Sequence, residues 1–230
     1  MRILDARQIS RRNILAGGSA FAALSLMPVS ALATAVPEND LTRFAVDRNG
    51  SRFGSHVLNF ERDGDDLHVR VEIDFSVGLG PIKLFRYSHR NHEIWRDGRL
   101  VSLESTTDDD GKPYRVSARA EGDRLLVDGS GGELELPGDT LSTSYWHERT
   151  VSRSEWLDTQ KGKLVKSTVS PLGEETIAAG GRTIEANRYR LRGDLDCDLW
   201  YYRERWVKLV FVVKDSEIAY RLQSPVQATG

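Results

Sequence analysis

The run Arg188–Leu222, RYRLRGDLDCDLWYYRERWVKLVFVVKDSEIAYRL, decides the reading of the whole chain. Leu195, Cys197 and Leu199 alternate with Asp194, Asp196 and Asp198. Trp206–Val213 is the most apolar run outside the N-terminal segment, and Ile218–Leu222 follows the polar turn Lys214-Asp215-Ser216-Glu217. An apolar period of two, broken by short polar turns, marks antiparallel strands joined as a meander. Cys197 alternates with acids, which places it on an apolar strand face. It is the single cysteine, so no internal disulfide supports the fold.

The same pattern runs outward from this stretch. Leu67, Val69, Val71, Ile73 and Phe75 alternate with His68, Arg70, Glu72 and Asp74, as expected of a strand with one wet face. Asn49-Gly50 and Asp97-Gly98 are hairpin signals, since these residues tolerate positive φ. Roughly a dozen strands are expected, and so many cannot lie in one flat sheet. The expected fold is all-β: a strongly curled antiparallel meander forming an open or closed barrel-like sheet. It has at most one short helix, near 139–149, where Leu141, Tyr145 and Trp146 interrupt the alternation.

Residues 1–33 read as an export signal. Arg2, Arg7, Arg11 and Arg12 precede an apolar run from Ile14 to Met27, and Ala31-Leu32-Ala33 offers small residues for cleavage near Ala33. Ser10, Arg11, Arg12 and Leu15 fit a twin-arginine motif, with Ile14 in place of the usual Phe. The expected route therefore uses the twin-arginine translocase, with general secretion as the alternative, and a signal peptidase, and ends in the periplasm. The run is too short and too rich in Gly and Ala for a stable span, so none is expected after cleavage. Residues 34–42 read as a short lead-in, 43–223 as a single β domain and 224–230 as a flexible tail.

The chain has 230 residues and a formal charge of −2. Without residues 1–33 it keeps 28 Lys and Arg against 33 Asp and Glu, about −5. That balance argues against nucleic acid as a partner.

The segments Trp95-Arg96-Asp97-Gly98-Arg99-Leu100, Ser144-Tyr145-Trp146, Gly193-Asp194 and Leu199-Trp200-Tyr201 resemble an uncharacterised domain-of-unknown-function family of exported Gram-negative β-rich proteins. The resemblance covers about Phe44 to Leu222. It implies location and fold class and supplies no catalytic residues.

Chemistry-bearing patterns are sparse. His89 and His92 differ by three, which places them on opposite strand faces. The histidines His56, His68, His89, His92 and His147 are read as solvated strand residues, and no metal or other cofactor is expected. Asp194, Asp196 and Asp198 lack the glycine of a calcium loop. No nucleophile elbow and no phosphate-cradling loop occurs. The informative departure is Ser144-Tyr145-Trp146-His147-Glu148, where aromatics sit beside His and Glu in the one segment that breaks the meander. It is read as a lid or plug over a barrel mouth, or as a cap on the core. Tyr145, Trp146, His147, Trp95, Trp200 and Tyr202 are the candidate ligand-binding residues. Trp200 and Tyr202 share a strand face, and Tyr201 points the other way.

These features favour a periplasmic, non-catalytic binding or carrier protein for a lipid or other apolar or amphipathic molecule. The alternative is an envelope assembly or partner-binding protein acting through its surface. The third reading is an enzyme with a site near His147 and Glu148.

Overall fold

The computed structural model describes residues 40–79 and 82–226. The segment read as an export signal, with Ser10, Arg11, Arg12 and Leu15, lies outside the described residues, as does 227–230.

Fifteen strands form one sheet. In chain order they are β1 (Asp40–Arg48), β2 (Ser51–Asp63), β3 (Asp66–Leu79), β4 (Ile82–Arg96), β5 (Arg99–Asp109), β6 (Lys112–Glu121), β7 (Arg124–Gly129), β8 (Gly132–Pro137), β9 (Leu141–Ser142), β10 (Glu155–Leu157), β11 (Leu164–Ala179), β12 (Arg182–Gly193), β13 (Cys197–Tyr202), β14 (Arg205–Val213) and β15 (Ser216–Leu222). Their spatial order is β8 down to β1, then β15 down to β9. The first and last long strands therefore pair mid-sheet, Phe44 opposite Leu222 and Val46 opposite Tyr220. The sheet curls without closing: its ends, β8 and β9, are not bonded to each other. Every pairing is antiparallel except the two-residue contact of β9 with β10.

Turn chemistry sets the register. Asn49 and Gly50 both have positive φ, as do Asp97 and Gly98, the geometry that matches the twist of the strands they join. Alternation then sends one face of each strand inward. Phe44, Leu58, Val69, Leu103, Leu125, Trp156, Leu191, Leu199, Tyr201 and Ile218 belong to one continuous core. The Trp156 ring N–H donates to the Thr150 carbonyl at 2.9 Å, so this buried polar atom is satisfied. The open seam is narrowed by two glycines. A Cβ on Gly162 would lie 2.8 Å from Gly129 Cα, so the 158–163 loop crosses β7 at a separation that side chains forbid.

A second, smaller cluster lies on the outer face of β11–β14. Ile177, Ala179, Ile184, Ala186, Trp200 and Val207 pack there, with Tyr202, Leu222 and Val226 against them. The start of the expected flexible tail is thus packed. Ser224 Oγ also accepts from the Arg43 amide at 2.8 Å. At the other end, β1 already includes Asp40, Leu41 and Thr42, inside the expected lead-in.

The expected short helix is displaced. The only helical turn among the described residues is a 3-10 turn, Glu148–Ser152. Tyr145 has φ +58, which a right-handed helix through 139–149 cannot accommodate.

Candidate functional site

Two arrangements inside and at one end of the barrel bring polar groups together, and a third lies on its outer wall.

The inner face of β4 is polar in its middle. His89, Asn91 and Glu93 point inward and are buried, with Trp95 continuing the row. Glu93 is fully buried. Its Oε1 accepts from Asn91 Nδ2 at 2.8 Å, and its Oε2 accepts from Trp95 Nε1 at 2.8 Å and Ser144 Oγ at 3.1 Å. Ser142 Oγ lies 2.8 Å from Ser144 Oγ. Burial raises the Glu93 carboxyl above its ordinary range, opposed by these hydrogen bonds. His89 pairs through Nδ1 with Thr107 Oγ1 at 2.8 Å, and burial holds it down to about 4. His56 sits against Phe44, Trp206 and Tyr220, with neither ring nitrogen partnered among the described residues. Burial, with His89 nearby, lowers it to about 3.

The reading of the histidines as solvated is therefore corrected for three of the five. His56, His89 and His147 are buried, because this sheet carries polar side chains on its inner face. His92 does face away from His89. It lies on the outer face with its Nε2 3.0 Å from His68 Nδ1. Among the described residues no three His, Cys, Asp or Glu side chains converge as metal ligands would. Asp198 is instead clasped by Arg188, Arg190 and Arg192.

The segment Ser144–His147 crosses the end of the barrel. Trp146 packs edge-on against Trp95 at 5.5 Å and Phe60 at 5.8 Å, and His147 lies 5.3 Å from Trp146. Tyr145 meets Trp206 at 6.0 Å, and its carbonyl accepts from Tyr201 Oη at 3.0 Å. The segment docks on the β13–β14 turn: His147 bridges Arg205, and the Glu148 amide donates to the Glu204 carbonyl at 3.0 Å. In that turn Arg203 and Glu204 both have positive φ, +49° and +64°. Neither residue type favours that region, so the turn stores backbone strain at the mouth.

His147 is buried and caps the 3-10 turn. Its Nδ1 accepts from the Arg149 amide at 2.9 Å, which fixes the neutral ring's proton on Nε2. Among the described residues Nε2 has no partner within hydrogen-bond range, and Glu204 Oε2 is 3.8 Å away. Burial, assisted by Arg149, lowers His147 to about 4. Glu148 turns its hydrogen bonds elsewhere, accepting from Tyr189 Oη at 2.8 Å and Asn187 Nδ2 at 3.2 Å.

Of the six candidate residues, the fold thus gathers Trp95, Tyr145, Trp146 and His147. Trp200 is apart from them on the outer face. It lies between Lys208 and Arg188, with its ring N–H on Glu175 Oε2 at 3.1 Å. Tyr202 shares that face and lines a crevice of about 170 Å3 beneath the C-terminal tail, with Trp206, Val207 and Leu222. A smaller cavity of about 40 Å3 joins Trp146 and His147 to Phe60, Arg205 and Trp206.

On the outer wall a groove of about 780 Å3 runs across β3–β7. Arg70, Arg90, Arg115, His92, Glu104 and Asp128 line it. Arg70 and Arg90 are paired with Glu61 and Asp74. Arg115, Glu104 and Asp128 make no side-chain hydrogen bond or ion pair among the described residues. Sequence reasoning missed this groove, because its residues read as the ordinary wet side of half-buried strands.

The fold defines the class of protein: an open, strongly curled, barrel-like antiparallel sheet with its core inside. The chain belongs to the domain-of-unknown-function family DUF6134, whose model matches residues 44–223. A solved structure described as a β-barrel-like protein of domain of unknown function DUF1849, from Brucella abortus, shares the fold. Its TM-score is 0.56 at 12% identity, over 80% of this chain and 94% of that one. No curated protein matches the chain.

Proposed function

We propose that the protein is a non-catalytic binding domain of the cell envelope. It is exported by its N-terminal signal and recognises a charged, extended partner segment on the outer wall of its sheet. The observation that carries this reading is the groove across β3–β7, of a size typical of binding clefts, with Arg115, Glu104 and Asp128 inside it unpaired among the described residues. Unpaired charges of both signs on rigid strands suit a partner of complementary charge pattern and make its capture sensitive to salt. The test is capture from envelope extracts by the mature protein, compared with Arg115→Glu and Glu104→Lys. The expected result is a salt-sensitive partner lost with both variants; an unchanged set of captured proteins argues against the reading.

The carrier of an apolar or amphipathic ligand is the second reading. It is favoured by the crevice beneath the tail, walled by Trp206, Val207, Leu222 and Val226. Native mass spectrometry of the purified protein tests it, and a co-purified lipid is the result it expects.

A further inference from the structure

We propose that the barrel mouth binds a small amphipathic molecule with a neutral, hydrogen-bond-accepting head and an alkyl chain of about six carbons, the head on His147 and the chain in the crevice beneath the tail. This rests on the carrier reading and names its site and ligand class; it does not depend on the outer groove.

The head group is argued from a donor that lacks an acceptor. His147 is 7% exposed, and its buried Nε2 has no partner among the described residues. Because Nδ1 already accepts from the Arg149 amide, Nε2 carries the proton and needs an oxygen opposite it. A buried donor without an acceptor costs about 1–3 kcal/mol, so the site favours any guest that supplies one. The cavity at this nitrogen, about 40 Å3, has room for a hydroxyl or an amide carbonyl. Its walls include Leu58, Phe60, Trp146 and Trp206.

Charge selects a neutral head over a carboxylate. Glu204 Oε2 stands 3.8 Å from Nε2, and the nearby Arg205 guanidinium is already engaged by Asp40. His147 is itself uncharged at neutral pH, since burial holds it at about 4. A second anion here meets Glu204, while the Arg149 guanidinium donates to the Gly98 carbonyl and Arg205 is held by Asp40.

The chain is argued from size and continuity. Thr42, Arg203, Arg205 and Trp206 border both the small cavity and the 170 Å3 crevice. An apolar cavity of about 150 Å3 holds a benzene-sized guest, so the crevice accommodates about six carbons. Trp206 stands between head and chain and reports on both.

The experiment titrates the folded mature protein with 1-heptanol and follows tryptophan fluorescence. Expected are a saturable change, an affinity that climbs from butanol to heptanol and then levels, and weaker binding of heptanoate at pH 7. His147→Phe, which removes the donor, weakens heptanol binding by about tenfold, the worth of one hydrogen bond. His147→Gln, which keeps a donor near the same place, stays within about threefold. Thermal unfolding of both variants checks that they fold, and the chain-length series on the unaltered protein tests the proposal if they do not. The proposal is overturned by no saturable response to heptanol, by affinity rising steadily through decanol as in surface partition, or by equal binding in His147→Phe. If lipid co-purifies while heptanol fails to bind, this site is wrong and the carrier reading stands. If heptanol binds as described and no lipid co-purifies, the site stands as a small-molecule site and the lipid-carrier reading falls.

Discussion

Replacing Glu93 separates a carboxyl that is tolerated from one that is needed. Two of its neighbours, Asn91 Nδ2 and Trp95 Nε1, have no other acceptor among the described residues, and Ser144 can fall back on Ser142. Glu93→Leu therefore orphans two buried donors, at about 1–3 kcal/mol each, and destabilises by about 2–6 kcal/mol. Glu93→Gln keeps one oxygen for Trp95 and Ser144 and turns its new amide toward Asn91. The Asn91 side chain then flips to present Oδ1, which otherwise has no partner. The glutamine variant thus keeps the bonds of Trp95 and Ser144 and one bond to Asn91, and leaves only Asn91 Nδ2 in the place Oδ1 held, so it is destabilised by less than Glu93→Leu. Its stability relative to the natural protein depends on pH with a definite sign. Burial raises the folded Glu93 pKa above the unfolded value of about 4.3, so the folded state holds the proton longer. The natural protein then loses up to about 1.4 kcal/mol per pH unit as pH rises from the unfolded to the folded value, and glutamine does not. Urea unfolding of all three proteins from pH 4 to 8 measures this. The reasoning is refuted if Glu93→Gln is destabilised as much as Glu93→Leu at every pH, for the network then requires the charged carboxylate.

The buried histidines give the opposite trend at lower pH. Folded values of about 3 for His56 and about 4 for His89 lie below the ordinary 6.5, so stability present above 6.5 drains away as pH falls toward 4, seen as a falling urea midpoint. His56→Leu removes two unpartnered ring nitrogens at similar volume; at pH 7 it raises unfolding free energy by about 1–3 kcal/mol and shallows that acid loss. Unchanged acid sensitivity in that variant contradicts the buried, neutral assignment. Gly162→Ala forces a side chain at φ +69 to within 2.8 Å of Gly129 Cα, so it lowers the thermal midpoint by several degrees; an unchanged midpoint means the seam is looser than described.

The wall was legible because alternation reports it directly. Leu199 and Tyr201 face the core while Trp200 and Tyr202 face outward, as their spacing requires. The departure at Ser144–Glu148 was legible too, since it breaks the rhythm. Its 3-10 turn was not, because it depends on Tyr145 adopting positive φ and on His147 capping the next residues. The polar inner row was missed for a simple reason: alternation identifies two faces, and polarity was used to decide which is wet. On β4 that rule fails. Tyr87, His89, Asn91, Glu93 and Trp95 share one parity, and the aromatics at its ends were the available signal that the polar middle lies inside. The packed tail depends on a contact between Val226 and distant strands, which no local pattern records.

The central claim is that the outer wall of β3–β7 is the working surface. Site-specific photo-crosslinking in exporting cells tests it most directly, with the reactive group at Thr106 in the groove and at the exposed Arg43 of β1 as control. The account predicts discrete crosslinked partners from Thr106 that vanish with Arg115→Glu, and none shared with Arg43. Identical products from both positions, or none from Thr106, would contradict it.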